Sequence, residues 1–408
     1  MRNIVVLGAG FGGYNTIKHL ERLLMGRRRI QLTMVSDRTH FLFTPLLPNV
    51  AAADIDAHHI MLPIEPQLER TTALKQARVE HIDIEAGRLH GPQGPVEFDY
   101  LVASPGSVAN FDGLADAPPH VQTIRSAQHA QIIRDSLATQ FSIAAGSMDD
   151  ALRRRALHFA FVGGGPMGVE LASELHETLT QRIYPHVSDD LKALVQISVI
   201  DPHRRPLHHM SDPLGRIALE HFEASGIQWI HSRRVVGADA TQLMLDDNTS
   251  LQTSKVFWCA GVRAPQWLAG VEGFETDARG RVLVQDTLQA KGHEHVFVMG
   301  DAARTEAPCP QNVQTASTQA ETVAKNLVAV LSGRTPLPWT PSAPKHFISL
   351  GRSKAAAHIG QSAIQGRTAL ALSRVSYTAM LPSQLRKLNL VREWFSAKRD
   401  PPKGFLPM

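Results

Sequence analysis

The sequence contains little cysteine and no long apolar run. Only Cys259 and Cys309 occur in 408 residues, and they lack the close spacing of a redox pair or a zinc site. A disulfide framework and paired-thiol chemistry are therefore not expected, although a single thiol at Cys309 stays open. No apolar stretch approaches the length of a membrane span, and no charged and apolar leader precedes the first strand. We therefore expect a cytoplasmic protein.

Strong charge of either sign is also missing. The formal net charge is +4 and the isoelectric point is near 9.1, which predicts at most weak attraction to anionic surfaces and no nucleic-acid partner. The chain is 43% hydrophobic and 20% charged, as in soluble globular proteins, and its 408 residues predict two or three domains.

A glycine-rich turn follows the first apolar stretch. Residues 4–7 form a short β-rich run that leads into Gly8-x-Gly10-x-x-Gly13 and then into a helical pattern. Gly8 permits a tight turn, Gly10 lets the backbone approach a pyrophosphate, and Gly13 lets the helix pack on the strand. The helix N-terminus then points at the anion, which predicts a dinucleotide site.

The next strand of this motif is expected to end in an acid that holds a ribose. Residues 30–35 form the predicted strand, but Ser36 follows it and Asp37 comes one place later. Because Ser36 can still bond a ribose hydroxyl, we assign Ser36 and Asp37 to the same site.

The same pattern of strand, glycine turn and helix occurs a second time. Residues 158–162 predict a strand, Gly163-x-Gly165-x-x-Gly168 follows, and an amphipathic helix continues from there. Its second strand ends in Asp201, which lies 201 − 163 = 38 residues after the first glycine.

That spacing is longer than the usual figure of about 20 residues and predicts an extended helix and loop. An acid at this position accepts from a ribose 2′-hydroxyl and repels a 2′-phosphate, so NADH is favoured over NADPH. Arg204 and Arg205 lie nearby and leave that preference open.

A third apolar strand, predicted within residues 295–303, ends in Gly300-Asp301. By itself such a strand is typical of a structural turn. Together with the other segments, however, it resembles the two-dinucleotide-fold flavoproteins, and specifically the type II NADH dehydrogenases. The resemblance covers about residues 1–330, and its segments are, in order, VVLGAGFGG, FLFTPLLP, FDYLVASPG, FVGGGPMGVELASEL, VFWCAGVRAP and VFVMGDAA.

The resemblance implies an α/β fold with two Rossmann-like dinucleotide-binding domains. The FAD-binding domain would comprise residues 1–120 and 276–335, interrupted by an NADH-binding domain at 121–275, with a C-terminal interface or membrane-associating region at 336–408. Hydride would pass from NADH to FAD, and electrons would pass on to a quinone without proton pumping.

The resemblance also implies the site residues. Glu170 and Gln314 are the catalytic candidates, Asp301 would contact the ribityl or pyrophosphate part of FAD, and Phe43, Thr44 and Pro45 would lie near the isoalloxazine. Glu170 has a structural alternative, since it also suits the dipole of its helix. The full set of cofactor-binding candidates is Gly8, Gly10, Gly12, Gly13, Ser36, Asp37, Phe43, Thr44, Pro45, Gly106, Gly163, Gly165, Gly168, Asp201, Gly261, Gly300 and Asp301.

The quinone segment departs from the family pattern. Ala-Gln-x-Ala-x-Gln is matched at Gln314 and Ala316, but Thr318 occupies the second glutamine position and Gln319 comes one residue late, about 100° around a helix. Two alternatives therefore stay open: a soluble NADH:acceptor flavin reductase, and an NADH-responsive regulatory flavoprotein similar to relatives of apoptosis-inducing factor.

The C-terminal segment is basic. Residues 371–408 carry seven Lys or Arg against Glu393 and Asp400, and 7 − 2 gives a net charge of +5. Leu381, Leu385, Leu388 and Phe395 recur at helical spacing, which predicts a basic amphipathic helix. Such a helix would contact a membrane peripherally, pack on the body of the protein, or form a homodimer interface.

Three histidines, His203, His208 and His209, follow Asp201 in a loop that contains proline. Because no helical or hairpin spacing organises them, we expect surface positions and no metal site.

Overall fold

The computed structural model describes residues 1–27, 29–111, 114, 120–343 and 345–396. The chain divides into two compact units. The first unit comprises Met1–Leu42, Leu62–Val108 and Val262–Pro344, and the second comprises Phe43–Met61, Ala109–Gly261 and Lys345–Met408.

A five-stranded parallel sheet forms the core of the first unit. Its third strand, Arg2–Leu7, leads into the first glycine turn and is almost wholly buried along Ile4–Leu7. A continuous apolar run is what a strand covered on both faces requires. The strands lie in the spatial order Val296–Val298, Tyr100–Ala103, Arg2–Leu7, Ile30–Ser36 and Thr72–Gln76.

Two long helices accompany this sheet, Phe11–Leu23 (the first-turn helix) and Val313–Leu331. Both are amphipathic and bury one face, including Ile17 and Leu20 of the first and Leu327 of the second. The remaining strands of this unit are His40–Leu42, the antiparallel His81–Asp83, Arg88–His90 and Val96–Glu97, the short Val262–Arg263, and the parallel pair Val282–Leu283 and Ala303–Arg304.

The second unit repeats the sheet. Its third strand, His158–Val162, leads into the second glycine turn and is buried throughout. The strands are all parallel and lie in the order Val121–Thr123, Lys255–Trp258, His158–Val162, Gln196–Asp201 and Gln228–His231. Each unit therefore presents its glycine turn at the carboxyl end of a central strand, which is where open α/β sheets bind ligands.

Two antiparallel sheets complete the strands of the second unit: Val235–Ala238, Gln242–Leu245 and Ser250–Gln252, and the C-terminal sheet Lys345–Ser349, Ala355–Ile359 and Ser362–Gly366. Its helices are Leu47–Ala51, Ala57–Ile60, Ala127–Ala145, Asp150–Ala156, Pro166–Thr178 (the second-turn helix), Asp189–Lys192, Asp212–Ser225, Arg367–Met380 and Gln384–Phe395. The short strands Met61–Pro63 and Val108–Ala109 fall at unit boundaries.

The predicted α/β class with two Rossmann-like units is confirmed, while the units differ from the expected domain ranges. Residues 43–61 belong to the second unit although they lie within 1–120, and the second unit's central segment runs from Ala109 to Gly261 rather than from 121 to 275. The C-terminal segment from Lys345 also belongs to the second unit. Segments that pack together need not be adjacent in sequence, and spacing alone carries no signal for them. None of the described helices has the length and apolar character of a transmembrane span.

Candidate active site

The first glycine turn excludes side chains at two of its glycines. Gly8 has a φ of +100°, and a Cβ there would lie 2.1 Å from the Ser104 carbonyl oxygen. A Cβ at Gly13 would lie 1.9 Å from the Gly8 carbonyl oxygen, where the helix packs on the turn. Gly12 is also confined, since a Cβ would meet Ser104 Oγ at 2.4 Å. Backbone packing thus accounts for Gly8 and Gly13, and the Ser104 side chain for Gly12, before any ligand is considered.

Gly10 is different, because it faces open space. A Cβ at Gly10 would meet no atom within 4 Å, and Gly10 is the N-cap of the first-turn helix, where no side chain of the described residues caps the helix. The first N–H groups of a helix lack helical partners and attract anions. The concavity therefore fits the pyrophosphate of a dinucleotide.

The second glycine turn repeats this geometry. Gly163 has a φ of +109°, and a Cβ there would lie 2.7 Å from the backbone of Ala260. A Cβ at Gly168 would lie 1.9 Å from the Gly163 carbonyl oxygen, whereas one at Gly165 would meet nothing within 4 Å. Gly165 is the N-cap residue of the second-turn helix, and no side chain in the described part of the chain caps that helix. This turn fits a second pyrophosphate.

A second glycine appears at matching places in the two units. Gly106 lies three residues after Tyr100–Ala103, and Gly261 lies three residues after Lys255–Trp258, each beside the strand that leads into the glycine turn. Their φ values are +74° and +88°, and a Cβ at either would meet no atom within 4 Å. Each unit thus has, at the corresponding edge of its own sheet, a glycine with left-handed backbone and open space around it.

In each unit, a polar side chain ends the strand that follows the glycine turn, and the two side chains differ. Ser36 is buried and its Oγ accepts the Arg38 backbone N–H at 3.0 Å, while Asp37 is exposed. Asp201 is buried, its Oδ2 accepts the Gly164 N–H at 2.6 Å, and its Oδ1 accepts the His203 N–H at 2.8 Å. The carboxylate at Asp201 is therefore held against the second glycine turn, whereas the first site has only a hydroxyl at this place.

Two arginines follow Asp201, and the side chain of Arg205 has partners within its own loop. Arg205 Nη2 lies 2.9 Å from Asp212 Oδ1, and Arg205 Nη1 donates to the Ser211 carbonyl at 3.0 Å. Arg204 is exposed, and its carbonyl accepts Trp229 Nε1–H at 3.0 Å. Arg205 is thus used to brace its own loop.

The three histidine rings lie in contact with one another, and His203 and His209 are exposed, as we expected of surface residues. The rings of His203 and His208 stack at 3.2 Å, the rings of His208 and His209 lie 3.5 Å apart, and His208 is half-buried. Ligand atoms of Asp201, His203 and His208 lie within 4.8 Å of one another. His203 Nδ1 contacts Asp201 Oδ1 at 2.8 Å, so a hydrogen bond within the loop joins two of these three groups.

The Gly-Asp turn is held by side chains of the first unit. Gly300 has a φ of +68°, and its N–H donates to Gln319 Oε1 at 2.7 Å. Asp301 Oδ2 accepts from Ser107 Oγ at 2.6 Å. Gln319, which comes one residue later than the glutamine of the family pattern, is fully buried and supports this turn.

Gln314 has a different environment. Its Nε2 donates to Ser342 Oγ and to the Ala343 carbonyl, both at 2.9 Å. Thr318 Oγ1 donates back to the Gln314 carbonyl at 3.1 Å, as threonine hydroxyls do within helices. Gln314 therefore fastens the segment that precedes the C-terminal sheet.

Glu170 is buried on the second-turn helix. Its Oε1 accepts the backbone N–H of Ser349 at 3.0 Å. Burial raises the pKa of Glu170 to about 8 against the opposing effect of that N–H, so the carboxyl is largely protonated at neutral pH. Burial also raises the pKa of Tyr377 well above its usual value, and Glu170 adds to this rise.

A group of polar residues around Glu170 went unrecognised in the sequence. Glu174, on the next helical turn, is 1% exposed, and its Oε1 accepts from Asn49 Nδ2 at 2.7 Å and from Ser349 Oγ. Asp54 lies 3.6 Å from Arg182 and 3.4 Å from Arg352. The i to i+4 spacing of Glu170 and Glu174 was the one available signal, since it places both on one helix face.

The FLFTPLLP segment belongs to the second unit from Phe43 onward. Phe43 is fully buried and its ring lies 6.0 Å from the ring of Tyr377, edge to face. Thr44 and Pro45 begin a short 3-10 turn and are half-buried.

The two cysteines carry free thiols and lie in different units. Burial raises the pKa of the Cys259 thiol to about 12, which suppresses the nucleophilic thiolate. Cys309 Sγ accepts from Thr305 Oγ1 at 3.4 Å. The raised pKa therefore argues against nucleophilic chemistry at Cys259.

The predicted C-terminal helix forms at Gln384–Phe395. Leu385, Leu388 and Phe395 are 67%, 61% and 83% exposed, while Leu381, before the helix, is buried. The basic segment beyond the helix, with Lys398, Arg399, Asp400 and Lys403, lies outside the described residues.

The two glycine turns are typical of proteins that bind dinucleotides, and a comparison with known families agrees. A family model for pyridine nucleotide-disulphide oxidoreductases matches residues 2–320, and the chain belongs to this family.

Known relatives narrow the class. The chain is 28% identical over 410 residues to the type II NADH:quinone oxidoreductase Ndh of Mycobacterium tuberculosis, covering 96% of this chain and 87% of the relative. It is 26% identical over 343 residues to a type II NADH:quinone oxidoreductase of Staphylococcus aureus, covering 81% and 83%. The solved structure of NDH2 from Plasmodium falciparum in complex with NADH matches in fold with a TM-score of 0.87 at 15% identity, covering 100% of this chain and 99% of that one.

Proposed function

We propose that this protein is an FAD-dependent NADH:quinone oxidoreductase of the type II kind. The observation that carries the proposal is the duplicated cradle, in which Gly10 and Gly165 each open onto an uncapped helix N-terminus at the carboxyl end of a central parallel strand. The relatives named type II NADH:quinone oxidoreductase cover most of this chain and support the same reading.

We assign FAD to the first unit's turn and NADH to the second. The buried Asp201 carboxylate, already held by Gly164, is positioned to accept from the ribose hydroxyls of NADH and to repel a 2′-phosphate. Arg205 is engaged with Asp212, which leaves it poorly placed to attract that phosphate. Ser36 would bond the ribose of FAD, and Asp301 its ribityl or pyrophosphate part.

Flavin, when bound, supplies the hydride-accepting chemistry, and the chain supplies binding and proton control. The helix N-termini at Gly10 and Gly165 bind the pyrophosphates, and the glycines keep side chains out of both cradles. Glu170, held by the Ser349 N–H, keeps a proton at neutral pH and so offers an acid rather than a charge. We retain Glu170 and Gln314 as the candidates for contact with the reacting substrates.

The proposed function is tested under anaerobic conditions. Purified holoprotein is mixed with one equivalent of NADH, and flavin absorbance is followed before and after addition of a ubiquinone or menaquinone analogue. We expect rapid bleaching and prompt recovery of absorbance with quinone. Bleaching that persists with quinone but reverses with oxygen or a dye would favour the soluble acceptor reductase, and a long-lived complex unaffected by all acceptors would favour the regulatory flavoprotein.

Membrane contact at the cytoplasmic face is the location that we propose. The helix Gln384–Phe395 carries Arg386, Lys387 and Arg392, and exposes Leu385, Leu388 and Phe395. Exposed apolar side chains among cations are typical of helices that lie in a headgroup layer. Such a position would give access to a membrane-dissolved quinone. A homodimer through the same helix stays an alternative, and light scattering of the detergent-free protein distinguishes it.

A further inference from the structure

The carboxylate of Asp201 is largely occupied by donors from the protein itself. Its Oδ2 accepts the Gly164 N–H at 2.6 Å, and its Oδ1 lies 2.8 Å from both the backbone nitrogen and the Nδ1 of His203. A carboxylate offers about four lone-pair sites, so these contacts leave about one site, on Oδ2, for a ligand. The 2′- and 3′-hydroxyls of a ribose each donate a hydrogen bond, so a second acceptor beside Asp201 would complete their recognition.

The imidazole of His203 provides such an acceptor. An ionised carboxylate can only accept hydrogen bonds, so His203 Nδ1 carries the hydrogen of the bond to Asp201. In the neutral ring the other nitrogen, Nε2, then has no hydrogen and is an acceptor. The His203 side chain is 46% exposed, against 8% for that of Asp201, so the ring is accessible to a ligand that reaches the carboxylate.

A second histidine supports the His203 ring. His208 stacks on it with 3.2 Å between the ring centroids and 14° between the planes, and the His209 ring lies 5.9 Å from His203. Burial, together with the neighbouring His209 and His203, lowers the pKa of His208 to about 4, although Asp201 opposes this shift. His208 therefore stays neutral through the range in which an ordinary histidine titrates, and it gives His203 an uncharged surface to pack on.

Further ionisable groups lie near this ring. Arg205 Nη2 is paired with Asp212 Oδ1 at 2.9 Å, and Arg204 is exposed. Because arginine remains charged at every pH of interest, neither arginine can make nucleotide binding depend on pH. On the neighbouring strand, the exposed His231 has its ring 3.2 Å from Ser232 Oγ, and this histidine offers a matched control.

We propose that His203 is a specificity-determining residue that recognises the adenosine ribose and favours NADH or NADPH according to its own protonation, an inference that rests on the proposed function. In the neutral ring, Nε2 accepts from the ribose 2′-hydroxyl while Asp201 repels a 2′-phosphate. In the protonated ring, Nδ1–H stays with Asp201 and offsets its charge, and Nε2–H donates to a phosphate oxygen. The preference for NADH therefore weakens as pH falls through the range of histidine titration.

Calorimetric titration of the oxidised holoprotein with ADP-ribose and with 2′-phospho-ADP-ribose tests this inference, because these ligands carry the ribose but no nicotinamide. Between about pH 8 and pH 5, the Kd of the phosphorylated ligand relative to that of ADP-ribose should fall about tenfold more in wild type than in His203→Asn. Asparagine keeps a donor for Asp201 but gains no proton. The 2′-phosphate itself titrates near a pKa of about 6 and contributes equally to every variant.

Two further variants complete the comparison. His203→Lys carries a fixed positive charge over this range, so it should show the low-pH ratio of the two Kd values at every pH. His231→Asn removes an exposed histidine of the adjacent strand and should follow the wild-type profile.

Equal pH profiles in wild type and His203→Asn would overturn the inference and assign the pH dependence to the phosphate. A profile displaced by a constant factor would overturn it as well, since His203 would then only hold Asp201 in place. The same result would follow if His231→Asn flattened the profile as much as His203→Asn. If quinone never restores flavin absorbance, the proposed function fails instead, while the binding comparison still decides the role of His203.

Discussion

The backbone N–H of Ser349 donates to Glu170 Oε1 at 3.0 Å across 179 residues of sequence. This bond joins the C-terminal sheet to the helix that follows the second glycine turn, within one unit. It also places a segment beyond the family-matched region, which ends at residue 320, against the carboxyl predicted to be catalytic. The C-terminal segment therefore contributes to the electrostatics of the site.

Glu170 should make stability fall with rising pH. Its pKa is near 8 in the folded protein and 4.5 ordinarily, so between these values the folded state keeps a proton that the unfolded state has released. Unfolding then becomes easier as pH rises, by up to about 1.4 kcal/mol per pH unit for one such group, and the trend flattens above the folded pKa.

Glu170→Gln should reduce this slope, because glutamine stays neutral and its Oε1 still accepts from Ser349. Urea unfolding from pH 5 to pH 9 measures the effect, with the exposed Glu220→Gln as control. A variant slope equal to that of wild type would contradict the assignment.

Gly10→Val should remove FAD without unfolding the first unit. A Cβ at Gly10 meets no atom of the described residues within 4 Å, so the added side chain extends into the space assigned to the pyrophosphate. The Kd for FAD, measured by flavin titration of the apoprotein, should rise at least about tenfold, which corresponds to a binding penalty above about 1.4 kcal/mol. Gly270→Val is the control, since it also meets no atom within 4 Å and has no positive φ. Equal loss of flavin in both variants would mean that the effect is not local.

Asp201→Asn should weaken the preference for NADH. The amide keeps an oxygen for the Gly164 N–H but loses the charge that repels a 2′-phosphate. We expect the ratio of kcat/KM for NADPH to that for NADH to rise about tenfold, since each 1.4 kcal/mol changes binding by that factor. Steady-state kinetics with both nucleotides measures the ratio. An unchanged ratio, with NADH kinetics intact, would show that Asp201 acts only on the glycine turn.

The two glutamines after the Gly-Asp turn should differ in effect. Gln319→Leu leaves the buried Gly300 N–H without its acceptor and should lower the free energy of unfolding by about 1–3 kcal/mol. Gln314 lies nearer the surface, so Gln314→Ala should lower the free energy of unfolding by no more than about 0.5 kcal/mol. If Gln314 contacts quinone, its variant raises the KM for quinone while bleaching by NADH is unchanged. Chemical denaturation and quinone titration separate these effects.

The exposed apolar residues of the helix Gln384–Phe395 should bind membranes. Leu388→Ser should lower the partition coefficient of the protein for anionic phospholipid vesicles about tenfold, because burying one leucine contributes about 1.5–3 kcal/mol. Sedimentation of the protein with the vesicles measures this coefficient. Leu337→Ser, also at an exposed leucine (70% exposed) but in the first unit, is the control. Equal sedimentation of both variants and wild type would favour a protein partner for this helix.

Much of the fold was predictable because its signals are local. The strand, glycine turn and helix lie within about 25 consecutive residues in each unit, and steric demands at Gly8 and Gly163 admit little else. The strand predicted at residues 158–162 is observed there, and Asp201 ends its predicted strand. Periodicity along the chain was sufficient for these elements.

The sequence by itself therefore determined the two dinucleotide folds, their order and the family. Only the tertiary structure decided which distant segments share a core: that residues 43–61 and the C-terminal sheet belong with the second unit, and that Gln319 turns inward to Gly300. The acid network of Asp54, Glu174 and Ser349 was likewise invisible, because burial and neighbouring charge set the protonation of a carboxyl, and both depend on packing rather than on spacing.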